Sequence, residues 1–254
     1  MKVINLKDIR IGEGMPKIIV PIVENTSEDI IKKALSLKGM GFDIVEWRVD
    51  FYEDPLNLPE IIDILRKLRY ELDTRPLIFT FRSKSEGGEK TISDKEYTAL
   101  NKAAAESGYA DIVDVEIFMN EDVAKENIKN IHKAGVLVIG SNHDFNKTPD
   151  KDEIVSRLRK MQEMDADIPK IAVMPNSEED VLTLLSATNE MHTKYADRPI
   201  ITMAMGPLGV ISRLSGELFG SSMTFGSVGR VSAPGQVPVE ELKQALQIVH
   251  DALE

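Results

Sequence analysis

Short apolar runs rich in Val and Ile alternate along this chain with longer amphipathic stretches. The runs are KIIVPIV (17–23), GFDIVEWRV (41–49), RPLIFTFR (75–82), ADIVDVEIF (110–118), GVLVIGSNH (135–143), PKIAVM (169–174), RPIITMAM (198–205) and SSMTFGSV (221–228). Their starts recur at roughly 20 to 35 residues, the spacing of a repeated βα unit, and runs apolar on both faces suit strands buried in a parallel sheet. The stretches between them read as helices. In SEDIIKKALSLKG, Ser27 is the expected N-cap, Ile30, Ile31, Ala34, Leu35 and Leu37 form one apolar side, and Gly39 ends it. LPEIIDILRKLRYEL carries Pro59 in its first turn, and SDKEYTALNKAAAESG opens with Ser93 and Glu96 in capping-box spacing and closes on Gly108. The segment after the seventh run, PLGVISRLSGELFG, is a weak and short helix.

Eight alternations predict an α/β fold closed into a (β/α)8 TIM barrel, because closure removes both sheet edges. An open doubly wound sheet is the alternative. The first run is followed by PIVENTSED rather than GxGxxG, which argues against a dinucleotide fold. Residues 1–16 precede the first unit, and IRIGEGMPKI is expected to form a short N-terminal hairpin covering the barrel floor. No linker or repeat divides the chain, so residues 1–254 are expected to be a single barrel catalytic domain.

Composition narrows the chemistry. With 42 acidic against 31 basic residues the formal net charge is −11, which argues against nucleic acid as a partner. A few buried cations can still set a local field for an anionic substrate. The absence of Cys rules out disulfides, thiolate catalysis and Cys-ligated metals. MKVINLKDIR has no apolar signal core and no run approaches 18 apolar residues, so a soluble cytoplasmic protein without membrane contact is expected.

In such a barrel the active site lies at the C-terminal ends of the strands. Glu46 and Arg48, two apart in EWRVD, fall on one strand face while Val45, Trp47 and Val49 fall on the other. Helices cover the outside of a barrel, so inward charges must be paired or functional; a surface ion pair is the bland alternative. Arg82 ends the third run, with Glu86 beyond it in a turn that could be plain loop surface. Asp114 and Glu116 are either functional or a structural network inside the barrel. His143, beside Asp144, is the His expected at a strand end; His132, His192 and His250 fall in helices. Lys170 sits where burial is expected, and desolvation favours the free amine that attacks a carbonyl. Met203, Met205 and Phe225 read as core or pocket wall. Arg213 is either a surface residue or a carboxylate or phosphate binder. Arg230, Ser232 and Gln236 lie in the Gly- and Pro-rich loop after the eighth run.

Taken together, DIVDVEIF followed by VLVIGSNHDF, with EWRVD, FTFRSKSEGG, PKIAVMP, TMAMGPLGVISR and SVGRVSAPGQ in order, resemble type I 3-dehydroquinate dehydratase over nearly the whole chain. The resemblance implies a Schiff-base-forming hydro-lyase of the shikimate pathway that dehydrates 3-dehydroquinate to 3-dehydroshikimate. It implies that Lys170 forms the imine, His143 is the general acid/base and Glu86 orients it. Glu46, Arg48 and Arg82 would bind ring hydroxyls, and Arg213 the substrate carboxylate. Ser232 and Gln236 would belong to a lid, and Met203, Met205 and Phe225 would line the pocket. It further implies a homodimer that needs no metal or redox cofactor. The alternatives are a Schiff-base aldolase of the transaldolase type, a metal-dependent barrel enzyme using Glu116, His143 and Asp144, and a catalytically inactive binding domain.

Overall fold

A computed structural model describes residues 2–253 of the chain. An antiparallel hairpin of β1 (Ile4–Leu6) and β2 (Ile9–Ile11) precedes the βα units. These run β3 (Lys17–Ile22), α1 (Ser27–Ser36), β4 (Ile44–Arg48), α2 (Leu58–Leu72), β5 (Leu77–Thr80), α3 (Asp94–Glu106), β6 (Ile112–Glu116), α4 (Glu121–Lys133), β7 (Leu137–Asp144) and α5 (Lys151–Glu163). They continue as β8 (Ile168–Val173), α6 (Glu178–Glu190), β9 (Ile201–Ala204), α7 (Val210–Leu214), α8 (Gly216–Phe219), β10 (Met223–Ser227), β11 (Val237–Pro238) and α9 (Val239–Leu253). The eight apolar runs of the sequence are β3 to β10, all paired in parallel in the order β10-β3-β4-β5-β6-β7-β8-β9. A single bridge, Ile200 to Ser221, joins β9 to β10 and closes the (β/α)8 barrel.

Two serines just before β10 hold that seam. Ser222 N donates to Ile200 O at 2.8 Å, and beyond it Ser221 Oγ accepts from Thr202 N at 3.0 Å where a strand backbone would otherwise stand. Higher up, the free edge of β10 is taken by β11, which pairs Gly226 with Val237 and Ser227 with Pro238. The sequence gives no sign of β11, which lies at the end of the loop after the eighth run.

Strand alternation sorts the residues into two cores. Outward-facing Val45, Trp47, Phe79, Val113, Val115, Val138 and Ile171 pack under the helices. Inside, every barrel strand contributes one buried apolar residue to a floor layer: Ile19, Ile44, Ile78, Ile112, Ile139, Ile168, Ile201 and Met223. The hairpin seals this layer from below with Ile11, fully buried, and with Ile4, Leu6 and Ile9 against it. A hairpin on the floor is thus present, but it spans residues 4–11, with Lys7 at φ 51° in its turn, and not the later IRIGEGMPKI segment. Only IRI belongs to it, because it is the alternating apolar positions Ile4, Leu6, Ile9 and Ile11 that reach the floor.

Helix ends follow local chemistry. Ser93 and Glu96 form the expected capping box on α3. On α1 the cap is Thr26 rather than Ser27: Thr26 Oγ1 accepts from Asp29 N at 3.2 Å, and Ser27 is the first helical residue. Among the described residues no helix is long and apolar enough to cross a membrane.

Candidate active site

Above the isoleucine floor the inward positions turn polar, and they open into a pocket at the C-terminal ends of the strands. Its lining includes Glu46, Arg48, Arg82, Glu86, His143, Lys170, Met203, Met205, Arg213, Phe225, Ser232 and Gln236, so every site residue expected from the sequence faces one cavity. A larger depression around Asp8, Phe42 and Arg75 lies at the other end of the barrel, away from these groups.

Arg82 is the hub of the polar layer. Its Nη2 donates to Asp114 Oδ1 at 2.8 Å, and its Nη1 to Glu116 Oε1 at 3.0 Å and Ser141 Oγ at 2.9 Å. Asp114 and Glu116 therefore form the structural network inside the barrel, fully desolvated and fully paired at the oxygens facing Arg82. Burial alone would raise Asp114, but Arg82 and Lys170 hold its carboxyl below the ordinary carboxylate range. Arg48 is likewise engaged within the protein, bidentate on Asp50 at 2.8 Å for both contacts. Glu46 accepts from Thr80 Oγ1 at 2.9 Å.

Lys170 stands in the middle of β8, 3 % exposed. Its Nζ is 3.1 Å from Asp114 Oδ2 and 4.8 Å from the centre of the Phe225 ring. The Asp114 charge is already shared with Arg82 and with Ser141, whose hydroxyl donates at 2.6 Å, so it is a diluted counterion for the amine. On the neighbouring strand, register places Ser141 opposite Lys170 and His143 opposite Ala172, which sets the imidazole one step nearer the mouth on the same inner face.

Glu86 is buried in a 3-10 turn, not on the loop surface. Its Oε2 contacts His143 Nδ1 at 2.9 Å and accepts the His143 backbone N–H at 2.9 Å; its Oε1 accepts from Asn142 Nδ2 at 3.1 Å. Burial and the nearby Glu116 push the Glu86 carboxyl up to about 8. Burial, followed by the charges of Arg82, Lys170 and Arg48, pushes the His143 imidazole well down, which favours the neutral ring. The turn depends on Gly87: at φ +84°, a Cβ there would lie 2.1 Å from the Phe145 ring. Neither Gly87 nor Phe145 stands out in the sequence; the Gly pair after Glu86 is the only local signal.

Arg213, on α7, is 1 % exposed and has no carboxylate partner among the described residues. Its Nη2 donates to Pro234 O at 3.1 Å, its Nη1 approaches Met203 Sδ at 3.8 Å, and its Nε is buried without a partner. Desolvation lowers its pKa to about 10. A buried, uncompensated guanidinium is the natural seat of a substrate anion.

The loop over residues 228–236 folds onto this arginine. Ser232 and Gln236 bond each other twice, at 2.9 Å and 3.1 Å, and Pro234 O also accepts from Gly206 N at 3.1 Å. Gly235, at φ +78°, comes so close to Gly206 that a Cβ would stand 2.3 Å from its carbonyl oxygen. Arg230 and Arg48 both lie 5.0 Å from the Phe51 ring centre, tying the loop to the pocket wall.

Other charged candidates turn away from the cavity. Asp144 Oδ1 accepts from Asn146 N and Lys147 N at 2.9 and 3.1 Å and so caps a turn. No three His, Cys, Asp or Glu side chains among the described residues converge as metal ligands. His132, His192 and His250 lie half-buried at helix packing sites outside the pocket.

Comparisons with known proteins bear on the family and the fold. The family model for type I 3-dehydroquinase matches residues 18–252. The chain is 56 % identical over 250 residues to 3-dehydroquinate dehydratase of Clostridioides difficile (strain 630), covering 98 % of both chains. It is 52 % identical over 252 residues to that of Escherichia coli O1:K1 / APEC, covering 99 % of this chain and 100 % of the relative. The crystal structure of the Clostridium difficile type I enzyme with covalently modified comenic acid superposes with a TM-score of 0.96 at 55 % identity over 99 % of both chains. That of the Geobacillus kaustophilus 3-dehydroquinate dehydratase gives 0.96 at 35 % identity, over 100 % of this chain and 98 % of the other. With its barrel, its pocket and these full-length matches, the chain belongs to the type I 3-dehydroquinase family.

Proposed function

We propose that this protein is a 3-dehydroquinate dehydratase that works through an imine on Lys170. One observation carries the reading: a buried amine and a neutral imidazole face one cavity in which, among the described residues, Arg213 is the one cation without a counterion. Membership of the family removes the support for an aldolase.

The amine of Lys170 adds to the substrate ketone, and loss of water from the carbinolamine leaves a protonated imine. This is a far better electron sink than the ketone. His143 Nε2 removes the α proton, and the electron pair passes into an enamine. The enamine expels the β hydroxyl, which takes the proton that the imidazole has just acquired. One group serves both steps if proton and hydroxyl leave from the same face, a syn elimination. Water then adds to the imine and frees Lys170, so the net reaction releases one water. Arg213 holds the carboxylate, Glu46, Arg48 and Arg82 shape the ring-hydroxyl wall, and Met203, Met205 and Phe225 complete the apolar side. Ser232 and Gln236 close the covering loop over the substrate.

The reading extends to a homodimer of single catalytic domains spanning residues 1–254, working in the cytoplasm on a small keto acid. The test is borohydride reduction in the presence of 3-dehydroquinate, followed by intact mass. The wild type should gain the mass of the reduced adduct, Lys170→Ala should gain none, and His143→Ala should still trap adduct while turnover falls about a hundredfold or more. A persistent mass gain in Lys170→Ala would remove the assignment.

A further inference from the structure

Asn142 lies on β7 between Ser141 and His143, so its side chain leaves the strand on the face opposite theirs, toward α5. It is 8 % exposed, and both ends of its amide are used. Nδ2 donates to Glu86 Oε1 at 3.1 Å, and Oδ1 accepts from Arg157 Nη1 at 2.9 Å. Arg157 is on α5, anchored by its Nε on Glu153 Oε1 at 2.8 Å. Three consecutive hydrogen bonds thus run from a helix on the outside of the barrel to the imidazole: Arg157, Asn142, Glu86, His143.

The direction of the amide is dictated by chemistry. A guanidinium only donates, so Asn142 must turn its oxygen to Arg157 and its NH2 to Glu86. The Glu86 carboxylate then accepts an amide N–H at Oε1 and a backbone N–H at Oε2, and neither donor can surrender its proton. Both contacts favour the anion. An anionic Oε2 takes the proton of Nδ1 as a hydrogen bond and leaves the lone pair on Nε2.

We propose that Asn142, oriented by Arg157, is a positioning residue that selects the anionic form of Glu86 and thereby the His143 tautomer with its lone pair facing the cavity. The inference rests on the reading of His143 as the acid–base group. Burial, Glu116 and Asp114 work against the anion; the Arg82 guanidinium, 3.6 Å from Oε2, and the Asn142 hydrogen bond favour it. The outward-facing helix α5 therefore contributes to a proton-transfer step that it does not touch.

The test compares kcat, KM and their pH dependence in the full-length wild type, Arg157→Leu, Arg157→Gln and Asn142→Ala, with melting curves for each. Arg157→Leu and Asn142→Ala are expected to move the ascending limb of kcat up by about one pH unit, a tenfold loss on its acid side. KM should stay within about twofold, and borohydride trapping on Lys170 should persist, because neither residue reaches the substrate. Arg157→Gln, whose amide can still donate to Asn142, should return most of the limb to its wild-type place. A limb unmoved in both donor-removing variants, or a Gln variant as impaired as the Leu one, overturns the inference while leaving the imine mechanism standing. A wild type that neither traps substrate nor turns it over removes the functional reading, and this inference with it.

Discussion

One carboxylate oxygen of Glu86 stands 2.9 Å from the ring Nδ1 of His143 and 2.9 Å from the backbone nitrogen of the same residue. The side chain is thereby fixed relative to the strand that carries it, which removes the torsional freedom a general base must otherwise lose in the transition state. The contact also makes the two groups titrate as one. A proton added to the pair ends on Nε2 in either of two ways. It binds there directly, or it binds Glu86, Nδ1 turns acceptor, and the ring proton moves to Nε2. Both outcomes occupy the basic lone pair.

The pH profile should report that shared proton. With Glu86 pushed up to about 8 by burial and Glu116, and His143 pushed down, kcat/KM is expected to rise through a limb near pH 8, with the active form above it. Initial rates of enone absorbance across pH measure it. A limb at the ordinary imidazole value near 6.5 would mean that the ring titrates independently of the carboxylate.

Arg213 should separate activity from stability. Arg213→Met removes a buried charge that has no counterion among the described residues, so the melting temperature should stay level or rise. KM should climb by roughly tenfold to a thousandfold, the loss of one or two charge-assisted hydrogen bonds to a carboxylate. Calorimetry and steady-state kinetics on one preparation decide it; a large fall in melting temperature would show that the guanidinium is already neutralised in the free protein.

A second imidazole contributes stability rather than chemistry. His132 Nε2 lies 2.8 Å from Asp167 Oδ2, with Asp165 Oδ2 at 3.7 Å from its Nδ1 and Arg198 beyond. The Asp167 hydrogen bond outweighs burial and raises the folded pKa above 6.5. Protonation therefore favours the fold: the stabilisation is complete below the unfolded value and is lost as pH rises through the raised folded one. The melting-temperature gap between wild type and His132→Gln should be widest in mild acid and shrink above neutrality. A gap constant with pH would assign the effect to packing alone.

Most of the barrel could be read from local pattern, because period-two alternation inside an apolar run states both that a strand is buried and which residues turn inward. Glu46 and Arg48 flanked by Val45, Trp47 and Val49 show this directly. The candidate site residues Lys170, His143, Glu86 and Arg213 came from motifs that share one family order. What stayed hidden depends on tertiary proximity. Arg157 is one basic residue among several on an amphipathic helix until β7 brings Asn142 beneath it. The two-residue strand β11 pairs only because β10 has an edge to fill. Thr26 and Ser27 are both competent caps, and only backbone geometry decides between them.

The floor of eight inward apolar residues plugged by Ile11 makes the barrel a vessel open at one end. Substrate, product and every water consumed or shed must cross the same rim, under residues 228–236. Each catalytic cycle therefore needs at least two passages through one doorway, beside the paired Ser232 and Gln236 side chains.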